Sequence, residues 1–176
     1  MNIFVLDRDP KVAATMLCDK HVVKMIVETA QMLCTVASQL KHDVPYKPTH
    51  AKHPCTLWAG ESLSNWNWLI DHGLEMCAEY TRRYNRIHKT QAIIEWCKSS
   101  NIGPEIDIGL TQFKLAMPDQ YKCDDPVKSY RDYYIGEKSR FAKWKTAQPV
   151  WWPSSQGFIK TNSKLVLKNS VHLKLK

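Results

Sequence analysis

Residues 19–35, Asp-Lys-His-Val-Val-Lys-Met-Ile-Val-Glu-Thr-Ala-Gln-Met-Leu-Cys-Thr, constrain this chain more than any other stretch. Wound as a helix, they gather Val22, Met25, Ile26, Leu33 and the adjoining Val36 on one broad apolar side. His21, Lys24, Glu28, Gln31 and Thr35 fall within about a quarter-turn of one another beside it. Such a helix must lay its apolar side against other helices, so the rest of the chain is organised around it. The polar stripe unites a base, an amine, a carboxylate and an amide. It reads either as a solvated face with an i,i+4 Lys24–Glu28 pair or as a functional site, and spacing alone favours the solvated face.

The neighbouring signals are helical too. Asp9-Pro10 and Asp125-Pro126 each offer an N-cap carboxylate followed by a proline preset for the first turn. They predict helices from Pro10 to about Cys18 and from Asp125 to about Lys145. Between them, residues 57–88 carry a stripe of Trp66, Leu69, Ile70, Leu74, Cys77, Ala78 and Thr81, interrupted near Gly60 and re-capped at Ser62 or Ser64. Glu75, Glu79, Arg82, Arg83 and Arg86 line its other faces, and Thr90 caps a shorter helix to about Ser100. The expected fold is mainly α: a single-domain bundle of about four to five helices with long irregular loops at 42–56 and 101–124. Met1–Asp7 reads as a short extended segment ahead of the bundle.

Residues 157–176 differ in kind. Lys160, Lys164, Lys168, Lys174 and Lys176 carry five of the net +8 charges with no acid among them, leaving +3 for residues 1–156. The segment alternates as a strand pair would around Lys168-Asn169-Ser170, and reads as a small C-terminal β-hairpin or a basic tail. The expected division is therefore a helical domain over 1–156 and an appended basic segment over 157–176. The body is only mildly basic, which weakly favours a polyanionic partner.

Cys18, Cys34, Cys55, Cys77, Cys97 and Cys123 form no CxxC pair and read as buried thiols of a reduced compartment. No apolar run approaches a membrane span and the N-terminus has no signal-peptide pattern, so a soluble, intracellular protein with no membrane partner is expected. His50, His53 and Cys55 do not make a standard ligand set, and neither a metal nor a cofactor is expected. The proline-rich loop instead offers Tyr46, Lys47, Thr49, His50 and His53 as substrate or phosphate contacts. In residues 125–145, Tyr130, Tyr134, Phe141 and Trp144 interleave with Lys128, Arg131, Lys138, Arg140 and Lys143. That pattern suits a surface tracking a nucleic-acid backbone, and equally an ordinary amphipathic helix.

Particular strings connect the chain to known proteins. Its Asn-Ile-Phe-Val-Leu start, Cys18-Asp19-Lys20-His21-Val22-Val23-Lys24-Met25-Ile26, Tyr46-Lys47-Pro48-Thr49-His50, His53-Pro54, Arg83-Tyr84, His88-Lys89-Thr90, Ala116-Met117-Pro118-Asp119 and the run from Tyr130 to Lys138 closely resemble a family of small phage proteins over roughly residues 1–152. More distantly, the chain resembles the pyrimidine-dimer DNA glycosylases, also called the phage endonuclease V family. Asp19, His21 and Glu28 match that family's Asp-x-His and catalytic Glu on one long helix, and Tyr133, Tyr134, Gly136 and Lys138 match its C-terminal aromatic-basic run.

The resemblance implies a mostly helical, metal-independent enzyme that acts on damaged or modified pyrimidines in duplex DNA through an N-terminal α-amine, with or without AP-lyase activity. It would work in the cytoplasm of a phage-infected bacterium. An α-amine, with a reference pKa near 8, keeps a useful neutral fraction at physiological pH. Glu28 would be the acid/base, and His21 and Lys24 would position or polarise the sugar. Asp19, Tyr46, Lys47, Thr49, His50, His53, Arg131 and Lys138 would touch DNA. Asn2 is bulky for removal of the initiator residue, so the nucleophile falls to the Met1 amine, to Lys24, or to water. A nucleotide- or base-modifying transferase or hydrolase using the same stripe, and a non-catalytic DNA-binding or host-interaction protein, are the alternatives. Sequence leaves the oligomeric state open.

Overall fold

The computed structural model describes residues 1–153 in full and, beyond them, only the backbone of residues 158–161 and 164–167. Among the described residues there are six α-helices: α1 (Pro10–Met16), α2 (Asp19–Gln39), α3 (Pro54–Glu61), α4 (Leu63–Tyr84), α5 (Gln91–Ser99) and α6 (Pro126–Lys138). The 57–88 segment breaks as expected: Ser62, with an extended φ of −156°, ends α3 and starts α4, and the two pieces bring the count to six. In addition, α3 begins at Pro54, inside the stretch expected to be loop.

Both Asp-Pro starts cap as expected. The Asp9 carboxylate accepts from the Lys11 and Val12 amides, and Asp125 accepts from Val127. α2 is the central element and packs on α3, α4 and α5. All five of its expected apolar residues are buried. Gly73 in α4 permits this closeness: a Cβ there would meet Thr29 Cγ2 of α2 at 2.8 Å and Ile94 Cδ1 of α5 at 2.9 Å. On α4, Trp66, Leu69, Ile70 and Cys77 are buried as expected, but Ala78 is exposed. Glu79 and Arg83, expected on an outer face, are buried against each other.

The N-terminal segment is threaded into the bundle. Ile3, Phe4, Val5 and Leu6 are all buried. Phe4 holds a left-handed φ of 55°, and the Leu6 amide donates back to the Phe4 carbonyl at 2.8 Å, so the chain turns sharply there.

One expected boundary moves. α6 stops at Lys138, and residues 139–152 run on irregularly beside the start of α2, with the Asp19 amide donating to the Lys143 carbonyl at 2.8 Å. Phe141 and Trp144 then pack on His21 and on the Met16 carbonyl, so their spacing serves an irregular strap and not a helical stripe. Farther on, the backbone of β1 (Phe158–Thr161) pairs antiparallel with β2 (Lys164–Leu167), Thr161 opposite Lys164. The reversal expected around Lys168-Asn169-Ser170 falls on residues 168–176, which lie outside the described residues. Five cysteines are buried, whereas Cys123 is exposed. No helix among the described residues is long and apolar enough to cross a membrane.

Candidate active site

Glu28 lies on α2 facing the threaded N-terminus. It is 8% exposed, and its Oε2 accepts the Asn2 amide at 2.9 Å and stands 3.8 Å from the Met1 α-amine. Its Oε1 meets Lys24 Nζ at 3.0 Å, and Lys24 itself is 68% exposed. The polar stripe is thus no solvated face: one carboxylate is drawn inside, between a terminal amine and a lysine that reaches solvent.

The amine is held there by the residues that follow it. Asn2 is buried, and its side-chain amide donates to the Ala116 carbonyl at 2.8 Å while its Oδ1 accepts from the Ile3 amide at 2.8 Å. The Met1 side chain is 2% exposed and accepts the Thr56 hydroxyl on its sulfur at 3.6 Å. Because Met1 as a whole is half-buried, its remaining exposure lies on the backbone end that bears the amine. Arg131 ties down the far end of the segment, donating from Nε to the Leu6 carbonyl at 2.8 Å and pairing with Asp7 at 3.3 Å.

His21 closes one side. Its ring stacks on Phe4 at 4.5 Å, takes Tyr134 and Phe141 edge-on, and leaves Nδ1 buried with no partner among the described residues. Burial, followed by the charges of Lys138 and Lys24, pulls its pKa down to about 3, so the ring is neutral at physiological pH. Phe4 is covered on its other side by Tyr133, and Lys138 caps both, 4.4 Å from the Tyr133 centroid and 5.8 Å from that of Phe4.

His53 and His50 stand on the α3 side. His53 caps α3, and its pKa is lowered by burial, then by the N-terminal amine and by His50, with Glu28 opposing. Exposed His50 holds a left-handed φ of 52° and shares a hydrogen bond with the Thr49 hydroxyl at 2.8 Å. Thr49 is docked on α2 by its backbone, whose amide and carbonyl both bond the Thr35 hydroxyl at 3.0 Å. Cys55 is no ligand candidate, since burial pushes its thiol up to about 11. Among the described residues no group of three or more His, Cys, Asp and Glu is placed to hold a metal.

The structure therefore brings together Met1, His21, Lys24, Glu28, His50, His53 and Lys138. Asp19 is elsewhere: nine residues before Glu28, it falls on the opposite side of α2. There it receives Arg83 Nη1 at 3.0 Å and the Lys145 amide at 3.1 Å, which pins the strap after α6. Arg131 is spent on the N-terminal segment and on the face of Trp151. Tyr46 hydrogen-bonds Thr90 at 3.1 Å at the start of α5, and Lys47 is exposed on the loop. Asn2, Phe4 and Tyr133 were not singled out as site residues. Only their place in the shared strings marked them, because a left-handed phenylalanine has no sequence signature.

The site is thus a mainly helical fold that sets its N-terminal amine beside a buried glutamate. The family model for pyrimidine dimer DNA glycosylase matches residues 1–92, which include Met1, His21, Lys24, Glu28 and His53, and the chain belongs to that family. Neither a curated protein nor a solved structure matches it. At the level of the family the chain is a DNA glycosylase of DNA repair, with DNA as its substrate.

Proposed function

We propose that the chain excises a damaged or modified pyrimidine from duplex DNA by attack of the Met1 α-amine on C1′, and that it then cuts the strand as an AP lyase. The observation carrying this reading is the Met1 amine 3.8 Å from the buried Glu28 carboxylate. The buried Met1 side chain supports a retained initiator residue as the bearer of the amine.

In this scheme the neutral amine forms a bond to C1′ as the C1′–N bond to the base breaks. The electron pair leaves with the base, which takes up a proton, and the amine gives its own proton to Glu28. Glu28 returns that proton to O4′ as the C1′–O4′ bond opens to an iminium. Loss of a C2′ proton then expels the 3′ phosphate and leaves a cleaved strand. The reacting nucleotide has to leave the stack to reach the amine. Lys24 orients Glu28 from the solvent side, and His21, neutral and stacked, sets the Phe4 turn that aims the segment. Lys20 of α2, Lys138 at the end of α6 and Arg140 of the strap flank this face, and would meet the phosphates.

We assign this activity to residues 1–156, with 157–176 as an appended basic segment, and place its work in the cytoplasm of an infected bacterium. The test is borohydride trapping on lesion-bearing duplexes with an intact-mass check of the N-terminus. A covalent adduct mapped to Met1 is expected, abolished by a Gly-Ser extension ahead of Met1. No adduct and no base release over a lesion panel, with Glu28→Gln indistinguishable from wild type, would overturn the reading.

A further inference from the structure

His53 has two ring nitrogens, and the fold uses only one of them. As N-cap of α3, with extended φ and ψ of −68° and 137°, it accepts the Cys55 amide on Nδ1 at 3.2 Å. An accepting nitrogen carries a lone pair, so the single proton of the neutral ring sits on Nε2. That nitrogen has no hydrogen-bond partner among the described residues, and the ring is half-exposed.

The first turn of α3 also lies against the nucleophile. Thr56 reaches the Met1 sulfur at 3.6 Å, and the Cys55 thiol approaches Asn2 Oδ1 at 3.9 Å, so the capping residue flanks the amine. The neighbouring charges there are the amine, His50 and Glu28, and the balance of burial and of the first two over the third keeps the ring unprotonated. From the cap, the tautomer and the packing, we infer that His53 is a catalytic residue of this site, a neutral Nε2–H donor to an oxygen of the reacting nucleotide.

This rests on the glycosylase reading above. A neutral imidazole donor stabilises charge gathering on an oxygen without transferring its proton, so the ring needs no reprotonation between steps. The acceptor chemistry, an oxygen gaining negative charge, has two sources: the carbonyl of the departing base and the phosphate expelled on strand cleavage. They separate by substrate. A donor to the base carbonyl matters for lesion-bearing DNA and not for a pre-formed abasic site; a donor to the phosphate matters for strand cleavage on both.

Capping and donation also separate. Serine and asparagine both cap a helix as well as any residue, but serine is too short to reach the site and asparagine keeps an N–H. The experiment compares His53→Ser and His53→Asn with wild type by thermal unfolding, by single-turnover base release, and by cleavage of a pre-formed abasic duplex. Nitrogen-15 NMR of the wild-type ring accompanies them. Expected are unchanged melting temperatures, a loss of about tenfold or more in one of the two reactions for His53→Ser, partial retention by His53→Asn, and an Nε2–H tautomer. His53→Ser with wild-type rates in both reactions, or an Nδ1–H tautomer, would overturn the inference and leave the glycosylase reading standing. A wild-type protein that neither releases a base nor forms an adduct would overturn both.

Discussion

α2 holds a charged cluster on each of two opposite sides, and they are built on different terms. Around Asp19 the charges are paired: Arg83, with a side chain 0% exposed, donates to Asp19, to Glu79 and to the carbonyls of Leu17 and Thr15, and Arg82 forms an ion pair with the other oxygen of Glu79. Around Glu28 the pairing is incomplete. The amine stands at 3.8 Å, beyond a hydrogen bond, Lys24 leans out to solvent, and among the described residues neither His21 Nδ1 nor His53 Nε2 has a hydrogen-bond partner. A buried charge network that saturates itself holds elements together and has nothing left for a ligand. One that leaves donors and an amine unspent beside a carboxylate is arranged for a molecule that is still to arrive.

Removing Arg83 should break the first cluster most severely. Arg83→Met strips the buried Glu79 of a partner and frees Asp19, and should cost about 3–5 kcal/mol of stability in denaturant unfolding. Adduct formation by the folded fraction should persist, since no part of that cluster meets the amine. Glu28→Gln should do the reverse. The amide still accepts from Asn2, so unfolding should change little, while turnover falls about 100-fold or more. A large stability loss with unchanged turnover would exchange the roles assigned to the two clusters.

Acid should strain both sides of the molecule through two buried histidines. His21 beside the amine and His72 stacked on Trp68 in α4 are each pulled down to about 3, in both cases chiefly by burial. Between pH 6.5 and 3 the unfolded chain therefore binds more protons than the folded one. Stability is fully present above 6.5 and is lost as the pH falls, by at most about 1.4 kcal/mol per pH unit for each ring. His72→Phe should flatten part of that slope in pH-dependent unfolding and leave the trapping chemistry alone.

The smallest effect is expected at Lys24. Its ion pair is exposed and screened, so Lys24→Met should alter stability by less than about 1 kcal/mol and turnover by only a few-fold. A loss as deep as that of Glu28→Gln, together with loss of the adduct, would mark Lys24 as the nucleophile and displace Met1.

Much of this was legible in the residues and some was not, for physical reasons. The Asp-Pro caps and the apolar side of α2 act locally, and they placed α1, α2 and the start of α6. The end of α6 was not local: Phe141 and Trp144 suited a helix equally well until the Asp19 amide claimed the Lys143 carbonyl. Glu79 and Arg83 were read as surface because each alone is charged, and only their mutual neutralisation made burial affordable.

The sequence by itself determined that one helix carries an apolar side and, next to it, a base, an amine and a carboxylate, since helical pitch alone sets those angles. It also tied Asp19, His21 and Glu28 to a family of DNA glycosylases. Pitch also set Asp19 on the side of α2 away from His21 and Glu28, but not what either side would meet. Only tertiary structure turned Asp19 toward Arg83, sealed His21 between Phe4 and its aromatic neighbours, and brought Met1 to Glu28. An amine 27 positions away meets that carboxylate only because a left-handed turn at Phe4, a buried Asn2 and the Arg131 anchor thread the N-terminus back into the bundle.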